Sequence, residues 1–221
     1  MRVLVFGDSI AFGASDIEGG WVQHLRNHYR EIDIANRTDV QPDVYNVSIS
    51  GDRSRDVLER IENETIARDN DNIRAIIIAI GINDSQTDSG IADASIDEYV
   101  SNLNAIFDIA KKYTKKVIAI GLSPVDDLHS NPLEWDEPQY QTICYTNSII
   151  QKYDRALEEV CVNNAVAYIN IFDAFTQEMN TPERSVELLP DATHPSNQGH
   201  KFIYKNISER LTDLIDRKKE S

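Results

Sequence analysis

The chain has 221 residues, 41% of them hydrophobic, with 9 glycines, 7 prolines and a formal net charge of −15. That is enough apolar side chain for a full core in a single domain spanning 1–221, without the bias of a disordered or fibrous protein. No Lys/Arg cluster is larger than the "RKK" near the C-terminus, which argues against nucleic acid and anionic membranes as partners.

The N-terminal stretch "VLVFG" at 3–7 predicts a first strand that ends abruptly in Asp8 and Ser9. It turns polar too soon to serve as the apolar segment of a signal peptide, and no later run approaches the ~18 apolar residues needed to span a bilayer. The expectation is a cytoplasmic protein without stable membrane association; composition leaves its oligomeric state open.

Further β-branched runs follow at 43–49 ("DVYNVSI"), 73–81 ("IRAIIIAIG"), 116–122 ("KVIAIGL") and 165–172 ("AVAYINIF"). The middle runs are continuously apolar instead of alternating, the signature of strands covered on both faces of a parallel sheet. Helical patterns separate them. "DVLERI" places Val57, Leu58 and Ile61 on one face, and Ser95 with Glu98 reads as a capping box before Ile96, Val100, Leu103, Ile106 and Ala110.

The segment 123–141, "SPVDDLHSNPLEWDEPQYQ", has no periodicity, and loops that long in a compact domain are usually functional or mobile. Two long helices are predicted over 142–163 and 196–217, the second with Ile203, Ile207, Leu211 and Leu214 as its stripe. Cys144 and Cys161 would share the first of these, too far apart along it to bridge, so both are expected as reduced thiols. Strand and helix alternating five times predict an α/β fold, a three-layer α/β/α sandwich around a five-stranded parallel sheet of flavodoxin-like type.

In such a sheet the carboxyl ends of the strands form the ligand crevice. The residues just after each run are therefore the candidates: Gly7-Asp8-Ser9, Ser50-Gly51-Asp52, Gly81-Ile82-Asn83-Asp84, Ser123-Pro124 and Asp173, with "DATHPSNQGH" ahead of the last helix.

The ordered blocks "FGDSIAFG", "SISGDRS", "IGINDS" and "DATHP" resemble the GDSL or SGNH hydrolase superfamily, which carries an active-site Ser, Gly, Asn and His in separate blocks. "GGWVQHL" at 19–25 is similar to the lysophospholipase-like and thioesterase-like esterases of that superfamily. The resemblance covers nearly the whole chain. Each block alone is weak; four in the right order at the ends of the right elements form a specific signal.

The resemblance implies Ser9 as nucleophile, His194 as base, and an oxyanion hole from Ser9 N–H, Gly51 N–H and the Asn83 amide. Asp191, three residues before His194, can orient it by holding Nδ1 and leaving Nε2 free. The competing readings are an N-cap serine at 9, a surface histidine at 194, a connecting glycine at 51 and a turn asparagine at 83. His24, His28, His129 and His200 are poorer bases, since only His194 combines D-x-x-H spacing with the right element order. Asp8 and Asp84 read as structural acids that accept backbone N–H bonds.

Arg53 is a candidate crevice residue, with a surface ion pair as the competing reading. In the long loop, Leu128 and Trp135, with Leu133 and Tyr140, could wall an acyl site or simply pack the loop on its domain. "GDSIAFG" lacks the lysine of a P-loop. A phosphoryl-aspartate enzyme would need a lysine that "LSP" at 122–124 does not supply, and a hydrolase with metal ligands among Asp191, His194 and His200 lacks the usual spacing.

The expectation is a serine-dependent hydrolase of carboxylic esters, short acyl or acetyl, needing no metal or organic cofactor, with a small-molecule ester as its partner. A lysophospholipase or acyl-thioesterase of the same superfamily is the alternative. A non-catalytic small-ligand-binding α/β module is the reading from a different class.

Overall fold

Five parallel strands, β1 (Arg2–Gly7), β2 (Asp43–Asn46), β3 (Ile73–Ala79), β6 (Val117–Ile120) and β8 (Ala167–Ile169), form one sheet in the order β2-β1-β3-β6-β8. This is the 2-1-3-4-5 order of flavodoxin-like folds. The computed structural model describes residues 1–69, 72–133 and 142–216.

Continuous apolarity in the strands serves two cores at once. On β1, Leu4 and Phe6 face one cluster while Val3 and Val5 face the other; on β3, Ile76 and Ile78 oppose Ala75 and Ile77. The first cluster is covered by α3 (Ser54–Arg68), α4 (Ile96–Tyr113) and α5 (Asn147–Asn163), through Val57, Ile61, Leu103, Ile106, Phe107 and Leu157. The second is covered by α2 (Gly20–Asn36) and α8 (Asn197–Asp216), through Trp21, Leu25, Tyr29, Ile203, Ile207 and Leu211. The predicted α/β/α sandwich with a five-stranded parallel sheet is therefore the observed architecture. Among the described residues no helix is long and apolar enough to cross a membrane.

Several boundaries differ from the sequence expectation. The helix predicted over 142–163 begins only at Asn147, because Ile143–Cys144 form a two-residue strand, β7. Cys144 and Cys161 thus do not share a helix; both are free thiols. β7 pairs with β4 (Thr87–Asp88), which pairs with β5 (Ile91–Ala92), making a small antiparallel sheet in the order β5-β4-β7. The run at 165–172 ends as strand at Ile169, and Asp173 lies exposed in the first turn of α6 (Phe172–Glu178). A further short helix, α7 (Pro182–Leu188), starts at the Thr181 cap and leads to Asp191.

Candidate active site

Gly7 closes β1, and Asp8 caps α1 (Ser9–Phe12), a single turn ended by Gly13 at φ 94°. The Asp8 carboxylate accepts Ile10 N–H at 2.9 Å, so the turn directly after the strand holds Ser9 at its first position. There the Ser9 N–H belongs to the first turn and has no intrahelical acceptor. Asp8 is almost wholly buried, and that burial pushes its carboxyl up to about 7.

The loop after α7 brings His194 to Ser9. Asp191 Oδ1 accepts the backbone N–H of Thr193 at 3.1 Å and of His194 at 2.7 Å, folding residues 191–194 into a tight turn with Ala192 at φ 71°. Asp191 Oδ2 lies 2.8 Å from His194 Nδ1, and His194 Nε2 lies 2.9 Å from Ser9 Oγ. A carboxylate only accepts, so Nδ1 carries the hydrogen and neutral Nε2 is left to accept from the serine hydroxyl. Burial alone would raise the Asp191 carboxyl, but the hydrogen bonds from the His194 ring and backbone outweigh it and hold the group down at about 2. Hydroxyl, imidazole and carboxylate form one hydrogen-bonded line, an arrangement able to pass a proton from the hydroxyl to the ring.

Asp126 and His129 stand at the same three-residue spacing and also pair, Nδ1 to Oδ2 at 2.9 Å. They border a separate depression shared with Val186, Leu189 and Asp191, and His129 is not among the residues lining the cavity at Ser9. His200 is fully buried, and that burial pushes its imidazole down to about 4.

The loops after β2 and β3 are tied to each other. Asn83 Nδ2 donates to Asp52 O at 3.0 Å, and Asp84 accepts the Ser54 N–H at 2.9 Å and its hydroxyl as well. Arg60, reaching back from α3, donates to Val47 O and to the Asp52 carboxylate. Asp8 and Asp84 thus hold their loops through backbone N–H bonds, as expected of structural acids. Gly51 sits at φ 88°, where a side chain is strained. Its N–H donates to no acceptor among the described residues.

These loops close around a cavity of about 440 Å³ lined by Ser9, Gly51, Asn83 and His194, with Ile10, Ile82 and Ile143 among its apolar lining. Arg53, Gln86, Tyr145 and Thr193 also reach it. Arg53 both lines the cavity and forms an ion pair with Asp93, so the two readings of that residue coexist. Leu128 is exposed on a turn and is not among the lining residues, and Trp135 and Tyr140 lie outside the described residues. Gln86 and Tyr145 escaped the sequence analysis. Neither follows one of the five main strands; they flank β4 and β7, whose two-residue length leaves no alternation to read. Among the described residues no group of three or more His, Cys, Asp or Glu side chains is placed to hold a metal ion.

A family model described as GDSL-like Lipase/Acylhydrolase family matches residues 5–202. No curated protein matches the chain. Among solved structures it is similar to LAE5, an alpha/beta hydrolase enzyme from the metagenome of Lake Arreo, Spain, at 17% identity over 96% of this chain and 95% of that one, with a TM-score of 0.71. The acetylxylan esterase Axe2 from Geobacillus stearothermophilus aligns at 20% identity over 98% and 94%, TM-score 0.70. A lipase/acylhydrolase from Enterococcus faecalis aligns at 22% over 95% and 97%, TM-score 0.66. At these identities the likeness is one of fold.

Proposed function

The chain belongs to the GDSL-like lipase/acylhydrolase family and is an ester-hydrolysing enzyme, and from that premise we propose that it cleaves short-chain carboxylic esters with Ser9, His194 and Asp191 as its catalytic residues. The observation that carries this reading is the unbroken hydrogen-bonded line from Ser9 Oγ through His194 to Asp191, opening onto the 440 Å³ cavity.

Ser9 Oγ attacks the acyl carbon while its proton moves to His194 Nε2. The carbonyl π bond becomes an oxyanion, held by Ser9 N–H, Gly51 N–H and the second Nδ2 hydrogen of Asn83, the first being committed to Asp52 O. Collapse expels the alcohol, which takes the proton from Nε2. Water then attacks the acyl-serine, gives its proton to Nε2, and the acid leaves as Oγ recovers that proton. Asp191 remains a carboxylate throughout and steadies the imidazolium.

Among the residues lining the cavity, Ile10, Ile82 and Ile143 offer apolar surface for a small acyl group, and Arg53 and Gln86 offer polar groups to the alcohol. The similarity of fold to an acetylxylan esterase supports the choice of acetyl and other short acyl groups.

The test is hydrolysis of p-nitrophenyl esters from acetate to decanoate by the wild type and by Ser9→Ala, with mass spectrometry after a fluorophosphonate probe. The expected result is a rate that peaks at short chains, falls by about 10⁴ or more in Ser9→Ala, and a probe adduct on Ser9. Wild-type turnover by Ser9→Ala would overturn the assignment, and a peak at decanoate would replace the short-acyl reading with a long-chain one.

A further inference from the structure

Tyr145 is held between β7 and α5 with its side chain buried, and its backbone is clamped on both sides: its N–H donates to Ser130 O at 2.8 Å and its carbonyl accepts the Ser130 hydroxyl at 2.9 Å. The phenol oxygen lies 2.9 Å from Asn83 Oδ1 and 2.7 Å from Gln86 Oε1. A phenol has one proton and cannot donate to two amide oxygens.

Asp52 O, an acceptor only, fixes which end of the Asn83 amide carries the nitrogen. Asn83 Oδ1 therefore faces Tyr145 and must be the group that receives the phenol proton. Gln86 Oε1, the other acceptor within reach at 2.7 Å, is then left without that proton, and a Gln86 amide turned over by 180° would instead donate from Nε2 to the phenol oxygen. With the amide so turned, the bonds would run in one direction, Gln86 to Tyr145 to Asn83.

We propose that Tyr145, backed by Gln86, is a positioning residue for the Asn83 oxyanion donor. The proposal rests on the reading of Asn83 as a donor to the oxyanion. Two bonds, one at each end, hold the amide plane so that the second N–H keeps a single direction. A hydrogen bond accepted at Oδ1 also polarises the amide and makes that N–H a better donor. None of the four sequence blocks contains Tyr145, and its contribution is visible only once β7 has been laid against β4.

A double-mutant cycle tests it with p-nitrophenyl acetate. Asn83→Ala is expected to lower kcat by about 100-fold or more. Tyr145→Phe, which removes one oxygen, is expected to lower kcat by about 10-fold with KM changed less than about 2-fold, and to have almost no effect when introduced into Asn83→Ala. Gln86→Leu should act in the same direction with a smaller loss that also vanishes in Asn83→Ala; it carries the test if Tyr145→Phe does not fold. Equal losses in both backgrounds, or a loss expressed in KM alone, would overturn the proposal. An unchanged kcat in Tyr145→Phe beside a damaged Asn83→Ala would overturn it and leave the oxyanion reading standing. An unchanged kcat in Asn83→Ala would remove the oxyanion reading and the proposal together.

Discussion

Asp8 is asked for two things that pull against each other: as the cap of α1 it accepts a backbone hydrogen bond, and as a buried acid it resists carrying charge. Burial wins, raising its carboxyl from 3.8 to about 7. The unfolded chain therefore gives up this proton first, the native state holds more protons between about pH 4 and 7, and stability from this group falls as pH rises through that window. Asn caps a helix as well as Asp does and cannot ionise. Asp8→Asn is therefore expected to raise stability relative to wild type by an amount that grows from pH 4 to pH 7 and then levels, on the order of a few kcal/mol at the plateau, and to raise the melting temperature in step. Melting curves of the two proteins at matched pH check this, and a difference that stays constant with pH would show that Asp8 does not titrate there. At the same scale, Ser9 and His194 stand out in the sequence through the resemblance of their blocks to one family, and only the Asp191–His194 relation, three residues apart, is local. Tyr145 does not stand out, because it lies in none of those blocks and directly after a two-residue strand that shows no period.

The elements separate along similar lines. β1, β3 and β6 were legible as continuous apolar runs, and α4 was legible from its cap and stripe. Ser95 Oγ accepts the Glu98 N–H at 3.1 Å, one half of the capping box predicted. Losing that bond leaves a first-turn N–H to water, so Ser95→Ala is expected to cost about 1 kcal/mol, measurable by urea unfolding as a lower midpoint at unchanged slope. An unchanged midpoint would mean that α4 is held by its packed face alone. α2 carries Trp21, Leu25 and Tyr29 at every fourth residue of its buried face, yet its periodicity is faint in the sequence. Their stripe is diluted by charged and polar neighbours, and its start at Gly19-Gly20 carries no side-chain cap. β4, β5 and β7 have two residues each, too few to show a period. Residues 143–146, Ile-Cys-Tyr-Thr, show no alternation, and nothing in that short run separates a strand from a first helical turn. The strand matters for function, since β7 and the residue after it deliver Ile143 and Tyr145 to the cavity.

Across the whole molecule the field is set by a net charge of −15. The guanidiniums nearest the cavity do not reverse it: Arg53 and Arg55 both pair with Asp93. An approaching ester with an anionic alcohol thus meets a repulsive potential that Arg53 and Arg55, both paired with Asp93, do little to offset, whereas a cationic one is drawn in. For esters sharing one acyl group, kcat/KM at low ionic strength is expected to fall in the order cationic, neutral, anionic, by about 3- to 10-fold per step. Surface fields of this kind are screened within about 10 Å at 0.1 M salt and about 3 Å at 1 M. The three values should therefore converge as salt is raised toward about 1 M, chiefly by recovery of the anionic substrate. Steady-state rates on such a series at two salt concentrations decide the matter. A preference for the anionic ester that survives high salt would mean that Arg53 turns from Asp93 to the substrate, and that the short-range chemistry of the cavity overrides the charge of the chain.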